Sequence, residues 1–83
     1  MDDKPFDVPV TLSMGPLGEY AVVASTSRAV ECLLQQWPEE RGPRHRDALD
    51  TCYKVLDGHR SVVDARQALV EAAEEAGVLV VIT

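Results

Sequence analysis

Four side chains in this chain could act as nucleophile, base or metal ligand: Cys32, His45, Cys52 and His59. Their spacing argues against all three uses. No C-x-x-C or H-x-x-x-H pair puts two ligands on one element. His45 and Cys52 share a helix face but stand seven residues apart. At the helical rise this is about 10 Å, too far for a nucleophile–base hydrogen bond. Both cysteines lie in or beside apolar stripes, where a free thiol behaves as a small buried hydrophobe. Carboxylates fare no better as acid–base groups. Glu71, Glu74 and Glu75 form a polar face, and a chain this short has little second layer with which to build a deep pocket. The reading is a non-enzymatic chain with no catalytic, cofactor-binding or metal-binding residue.

A basic run is the second candidate. Arg41, Arg44, His45 and Arg46 surround the start of a helical pattern, with Arg60, and further off His59 and Arg66, able to extend the set. A helix start normally prefers acids. Its free amides could join these cations around a phosphate or carboxylate. The bland alternative is a solvated face on which Glu39, Glu40, Asp47 and Asp50 form weak ion pairs. The formal net charge of −6 weighs against a nucleic-acid backbone or an anionic membrane as partner. A small anionic-ligand or nucleic-acid module using Arg41–Arg46 is therefore the alternative function, not the leading one.

The elements that must position these residues are organised around Ser61–Thr83. Ser61 and Asp64 have the spacing of a reciprocal capping box. Val62, Ala65, Leu69, Ala72 and Ala76 recur at steps of three and four, which predicts a helix with one apolar stripe. Glu74 and Glu75 oppose the dipole of its last turn, so charge does not end it. Gly77 does, by taking the left-handed C-cap conformation. Val78–Ile82 has no polar position and predicts a strand covered on both faces.

Earlier in the chain, Met1–Pro5 reads as a disordered tail. Phe6–Leu12 reads as a strand with Val8, Val10 and Leu12 on one face. Pro9 lacks an amide and prefers an edge or a bulge. Ser13–Gly18 is a turn, and Tyr20–Ala24 the returning strand. Ser25, Thr26 and Ser27 offer caps for a helix whose stripe is Val30, Leu33, Leu34 and Trp37, stopped by Pro38. Trp37 should be a core anchor. After Pro43 comes a third helical pattern, with Ala48, Leu49, Cys52, Tyr53 and Leu56 as its apolar face and Gly58 as its end.

The order is strand, strand, helix, helix, helix, strand. It implies one α+β domain over residues 1–83, with three helices on one face of a small three-stranded sheet. Pro9 favours the first strand at the edge. The last strand then runs antiparallel to the first and parallel to the second; the alternative, with the first strand in the middle, gives only antiparallel neighbours. With the helices on one side, Val22, Val78, Val80 and Ile82 are left to the other. Such an apolar face usually marks an interface, and the default partner is a second copy in a cyclic dimer. With 46% apolar and 27% charged residues, the composition is that of an ordinary globular protein. No export signal, lipidation motif or membrane span is legible, which makes the cytoplasm the expected location.

From Ser25 onward the chain resembles a family of small uncharacterised proteins common in rhizobia and related alphaproteobacteria. The likeness is carried by ECLLQQWP (31–38), His45, Ala48, Cys52, VLDG (55–58), Ala65-Arg66 and EAAEEAG (71–77), and reaches back to Pro9-Val10. Where such proteins often carry a bulky aromatic in the last helix, this one has Leu69. The resemblance implies a shared fold and origin. It brings no catalytic or binding residue, because the family is one of unknown function.

Overall fold

The computed structural model describes residues 4–14, 18–38 and 41–80. It is an α+β structure in which an antiparallel hairpin, β1 (Pro5–Met14) and β2 (Glu19–Ser25), is followed by three helices. The first helix is α1 (Thr26–Glu31), which continues as a π-helical turn, Cys32–Gln36. The others are α2 (Pro43–Leu56) and α3 (Val62–Ala76). Val10, Leu12 and Val23 of the hairpin share one core with Ala29, Leu33 and Trp37, with Ala48, Cys52 and Val55, and with Ala65, Leu69, Ala72 and Ala73.

Strand β1 begins earlier than the sequence suggested. Pro5, expected in a disordered tail, pairs with Ser25. The carbonyl of Lys4 accepts both the amide and the hydroxyl of buried Thr26 at 3.0 Å, tying the start of β1 to the start of α1. Between Pro5 and Val10 the register slips: five residues of β1 span what two residues of β2 span opposite them. This bulge is where Pro9 sits. Its missing amide costs no ladder bond there. The slip also reverses Val8, which was expected inward beside Val10 and Leu12 and is instead exposed.

The bulge corrects the strand order. Leu79 forms an antiparallel bridge with Leu12. The Ser13 amide donates to the Val78 carbonyl at 2.7 Å, and the Val80 amide to the Thr11 carbonyl at 3.0 Å. β1 therefore lies between β2 and the C-terminal segment, not at the edge. Pro9 did not forbid this, because the segment meets β1 at residues 11–13, past the proline. The pairing is antiparallel, as expected, but it is a single bridge and not the full third strand expected over Val78–Ile82. Val81 and Ile82 lie outside the described residues.

Two helix faces are rotated from their expected positions. In the first, Ala29, Cys32, Leu33 and Trp37 are buried, while Leu34 is 48% exposed. A wide turn advances less per residue than an α-helix, so it moves Leu34 off a stripe counted at the α-helical period. Trp37 is buried as expected, but its own backbone is already extended, as the residue before Pro38 must be. In α2 the buried face is His45, Ala48, Cys52 and Val55. Tyr53 is exposed and Leu49 and Leu56 are half-buried. The last helix follows its sequence closely. Ser61 and Asp64 form both bonds of the capping box, and Gly77 closes the helix at φ 72°.

Candidate functional site

Alternation along the hairpin sorts its side chains into two faces. The rows Val10/Val23 and Leu12/Ala21 face the helices. The rows Thr11/Val22 and Ser13/Tyr20 face away. On that outer side Tyr20 is 71% exposed and Val22 57% exposed, and Ala24 is also exposed. Val80 extends the Thr11/Val22 row through its bond to the Thr11 carbonyl. Val8, Val22 and Val80 line one shallow apolar depression of about 580 Å³. Arg66 borders it, and its Nε donates to the Val8 carbonyl at 2.8 Å, pinning the bulge to α3.

The expected interface set is thus partly assembled here. Val22 and Val80 lie on the outer face. Val78 is half-buried against the core, its amide donating to the Ala73 carbonyl at the end of α3. Ile82 lies outside the described residues. Tyr20 and Val8, which were not in the expected interface set, join it. The signal for Tyr20 was its parity with Val22. For Val8 it was Pro9, a bulge marker whose effect on parity cannot be counted from sequence.

The basic set is divided. Arg44 joins the start of α2 to the second half of α3: its guanidinium contacts Glu71 at 3.0 Å, and its backbone amide donates to Glu75 at 3.2 Å. Gly42, the N-cap residue of α2, has no side chain to cap with. A Cβ there would collide with the Glu75 carboxylate. The anion at this helix start is one of the chain's own, a carboxylate held at the positive end of the dipole. Glycine at position 42 followed by Pro43 was the legible trace of this lock. Arg60 pairs with Asp64 at 3.1 Å. Arg41 donates to the Pro38 carbonyl at 3.4 Å, and Arg46 is exposed. The depression around Arg44 is lined by Glu71, Glu74 and Glu75 as well.

His45, expected with that surface set, faces the core. It is 6% exposed. Its Nε2 lies 2.7 Å from the Leu33 carbonyl, and its ring lies 5.8 Å from that of Trp37. A carbonyl only accepts, so Nε2 carries the proton. Leu33 is among the last helical residues, whose carbonyls lack intrahelical donors, and Pro38 has no amide to offer. The imidazole supplies the missing donor.

Both cysteines are buried free thiols. Burial pushes the Cys52 thiol up to about 12. Burial also raises Cys32, against a lowering pull from Arg28 and with a smaller raising push from Glu31. Neither has the electropositive, accessible setting of a reactive thiolate. Among the described residues no group of three or more His, Cys, Asp and Glu side chains is gathered as metal ligands would be, and no helix is long and apolar enough to cross a membrane.

Two comparisons bear on this chain. Residues 8–80 match the model of a family described as "Protein of unknown function (DUF982)". The NMR structure of Agrobacterium tumefaciens protein Atu1219, a Northeast Structural Genomics Consortium target, is similar at 28% sequence identity and a TM-score of 0.80. That likeness covers 99% of this chain and 81% of the other. No curated protein sequence matches. The resemblance read from the sequence, to an uncharacterised alphaproteobacterial family, is borne out.

Proposed function

The chain belongs to the DUF982 family of proteins of unknown function, and from its geometry we propose that it is a non-enzymatic association module. It works in the cytoplasm as a homodimer joined through the outer face of its sheet. The observation that carries this reading is the side of the hairpin turned away from the helices. Tyr20, Val22 and Ala24 are all exposed there, with no charge among them. Apolar side chains in a contiguous exposed patch favour burial against a partner. Closed two-fold symmetry is the commonest way for a small chain to provide one. Free thiols suit a reducing compartment, and their burial and raised pKa values favour a packing role over a catalytic one. Binding of an external anion at Arg41–Arg46 has less support, because Glu71 and Glu75 already engage Arg44.

Sedimentation at tens of micromolar tests the reading. The unmodified chain should sediment as a dimer. Val22→Glu should give a folded monomer, since this side chain faces solvent in the isolated chain and a buried unpaired carboxylate in the dimer is prohibitive. A wild-type chain that stays monomeric at all these concentrations overturns it.

A further inference from the structure

The arginine that borders the apolar depression has donors to spare. Val62, Arg66 and Val70 follow one another at steps of four along α3, so they form one row on its surface. Val62 and Val70 lean on the core. Arg66, half-buried between them, reaches over the bulge of β1, where its Nε bonds the Val8 carbonyl. An arginine carries five N–H donors, so four remain on its two Nη atoms. Among the described residues nothing engages them. Arg28, Arg44 and Arg60 differ, each resting on a carboxylate.

The setting selects what can meet those donors. The depression is walled by Val8, Val22, Val70, Leu79 and Val80, and Arg66 is the only charged residue among its described lining residues. The chain has fourteen acids, yet none of the described ones lines this hollow. A smaller hollow on the Val62 side of Arg66 does contain one, Asp7, which would repel an anion there. The net charge of −6 draws no anion from a distance, so affinity must come from short-range contact. Contact here means apolar surface against the valines and one anion against the guanidinium. The two Nη atoms match the two oxygens of a carboxylate. A phosphate dianion would meet a single cation and leave the valines uncovered.

We propose that this depression binds a small monocarboxylate with an apolar tail. The carboxylate sits end-on to the Nη atoms of Arg66, and the tail lies along Val22, Leu79 and Val80. The Nε bond to Val8 orients the guanidinium before the ligand arrives, so less side-chain freedom is lost on binding. The site does not depend on the dimer reading. Val22 and Val80 also belong to the face assigned to the dimer, so ligand and second copy exclude each other.

Titration of the methyl-labelled full chain with octanoate, read by NMR beside sedimentation at the same concentrations, tests the site. Octanoate should move the methyl signals of Val8, Val22, Val70, Leu79 and Val80 and leave those of Leu33 and Val55 in place. It should bind about tenfold more tightly than octanol or octylammonium, the scale of one hydrogen-bonded charge, and more tightly than butanoate, which buries less apolar surface. Arg66→Gln should erase the preference for the anion and keep the weaker apolar binding. Val22→Glu leaves Arg66 and its bond to the bulge untouched. It changes an exposed side chain, brings a carboxylate into the hollow and should abolish octanoate binding in a folded chain. Equal affinities for the three eight-carbon probes, shifts confined to other residues, or no octanoate binding at millimolar concentration overturn the site. Where the chain dimerises, octanoate should release monomers. Shifts at Val22 and Val80 beside an intact dimer keep the site and overturn the dimer face. A chain that is monomeric throughout overturns the dimer reading alone.

Discussion

Replacing His45 by leucine keeps an apolar side chain in the core and deletes one donor. The Leu33 carbonyl, 2.7 Å from Nε2 in the native chain, is then buried at a helix end without its partner. An unsatisfied buried acceptor costs about 1–3 kcal/mol. Losing the imidazole ring beside Trp37 costs about 0.5–1.5 kcal/mol more, on the scale of an aromatic pair. The expected total is about 2–4 kcal/mol, a large share of the roughly 4–12 kcal/mol that a domain of this size possesses. With a urea m-value of about 1 kcal/mol/M for a small domain, the unfolding midpoint should fall by about 2 M or more. Trp37, the only tryptophan in the chain, reports the transition by fluorescence. His45→Gln retains an N–H donor and should recover part of the loss. Unchanged midpoints for His45→Leu, or equal losses for the leucine and glutamine variants, would refute the carbonyl-capping role.

Gly42→Ala should destabilise the chain by about 0.5–1 kcal/mol, the low end of a lost helix cap, because its Cβ makes the flexible end of Glu75 shift away from the start of α2. Glu75→Gln in the same background should then cost little more, a non-additivity readable in urea titrations. The side-chain hydrogen bond from Arg60 holds the Asp64 carboxyl below its ordinary value of 3.8, against an opposing effect of burial and with lesser help from Ser61 and from the Arg60 charge. A depressed folded-state pKa contributes stability above the ordinary carboxylate range and loses it as pH falls through the folded value. The midpoint gap between wild type and Asp64→Asn should accordingly narrow on acidification below about pH 4. Cys32 and Cys52 should resist a thiol-titrating disulfide reagent in the native state and react on unfolding, in step with Trp37 fluorescence. Fast native reaction of either would contradict its burial.

Most of what was legible in the sequence is local. The α3 capping box, the left-handed Gly77, the Ser25 cap and the extended Trp37 before Pro38 follow from interactions within four residues, where chain connectivity leaves few alternatives. The burial of Trp37 and of both thiols follows from composition at helical spacing. Faces were less legible wherever the count was interrupted. One wide turn at Cys32–Gln36 moved Leu34 outward, and one bulge before Val10 moved Val8 outward. A period carries no memory past an inserted residue.

The candidate site divides along the same line. That Val22 would be left without cover could be read from an apolar strand followed by three helices, since helices packed on one side of a sheet leave the other side open. That Arg44 would find Glu71 and Glu75, 27 and 31 residues away, could not, because any of fourteen acids might have met that helix start. Nor could sequence decide that His45 turns inward while Arg44 and Arg46 turn outward. The sequence alone determined the hairpin, the three helices with the caps of the first and last, and the apolar mass to be buried, but not the extent of the C-terminal pairing. Tertiary structure decided the partners, because long-range pairing depends on how the helices seat against the sheet, and that depends on shifts of a single residue in the bulge and the wide turn.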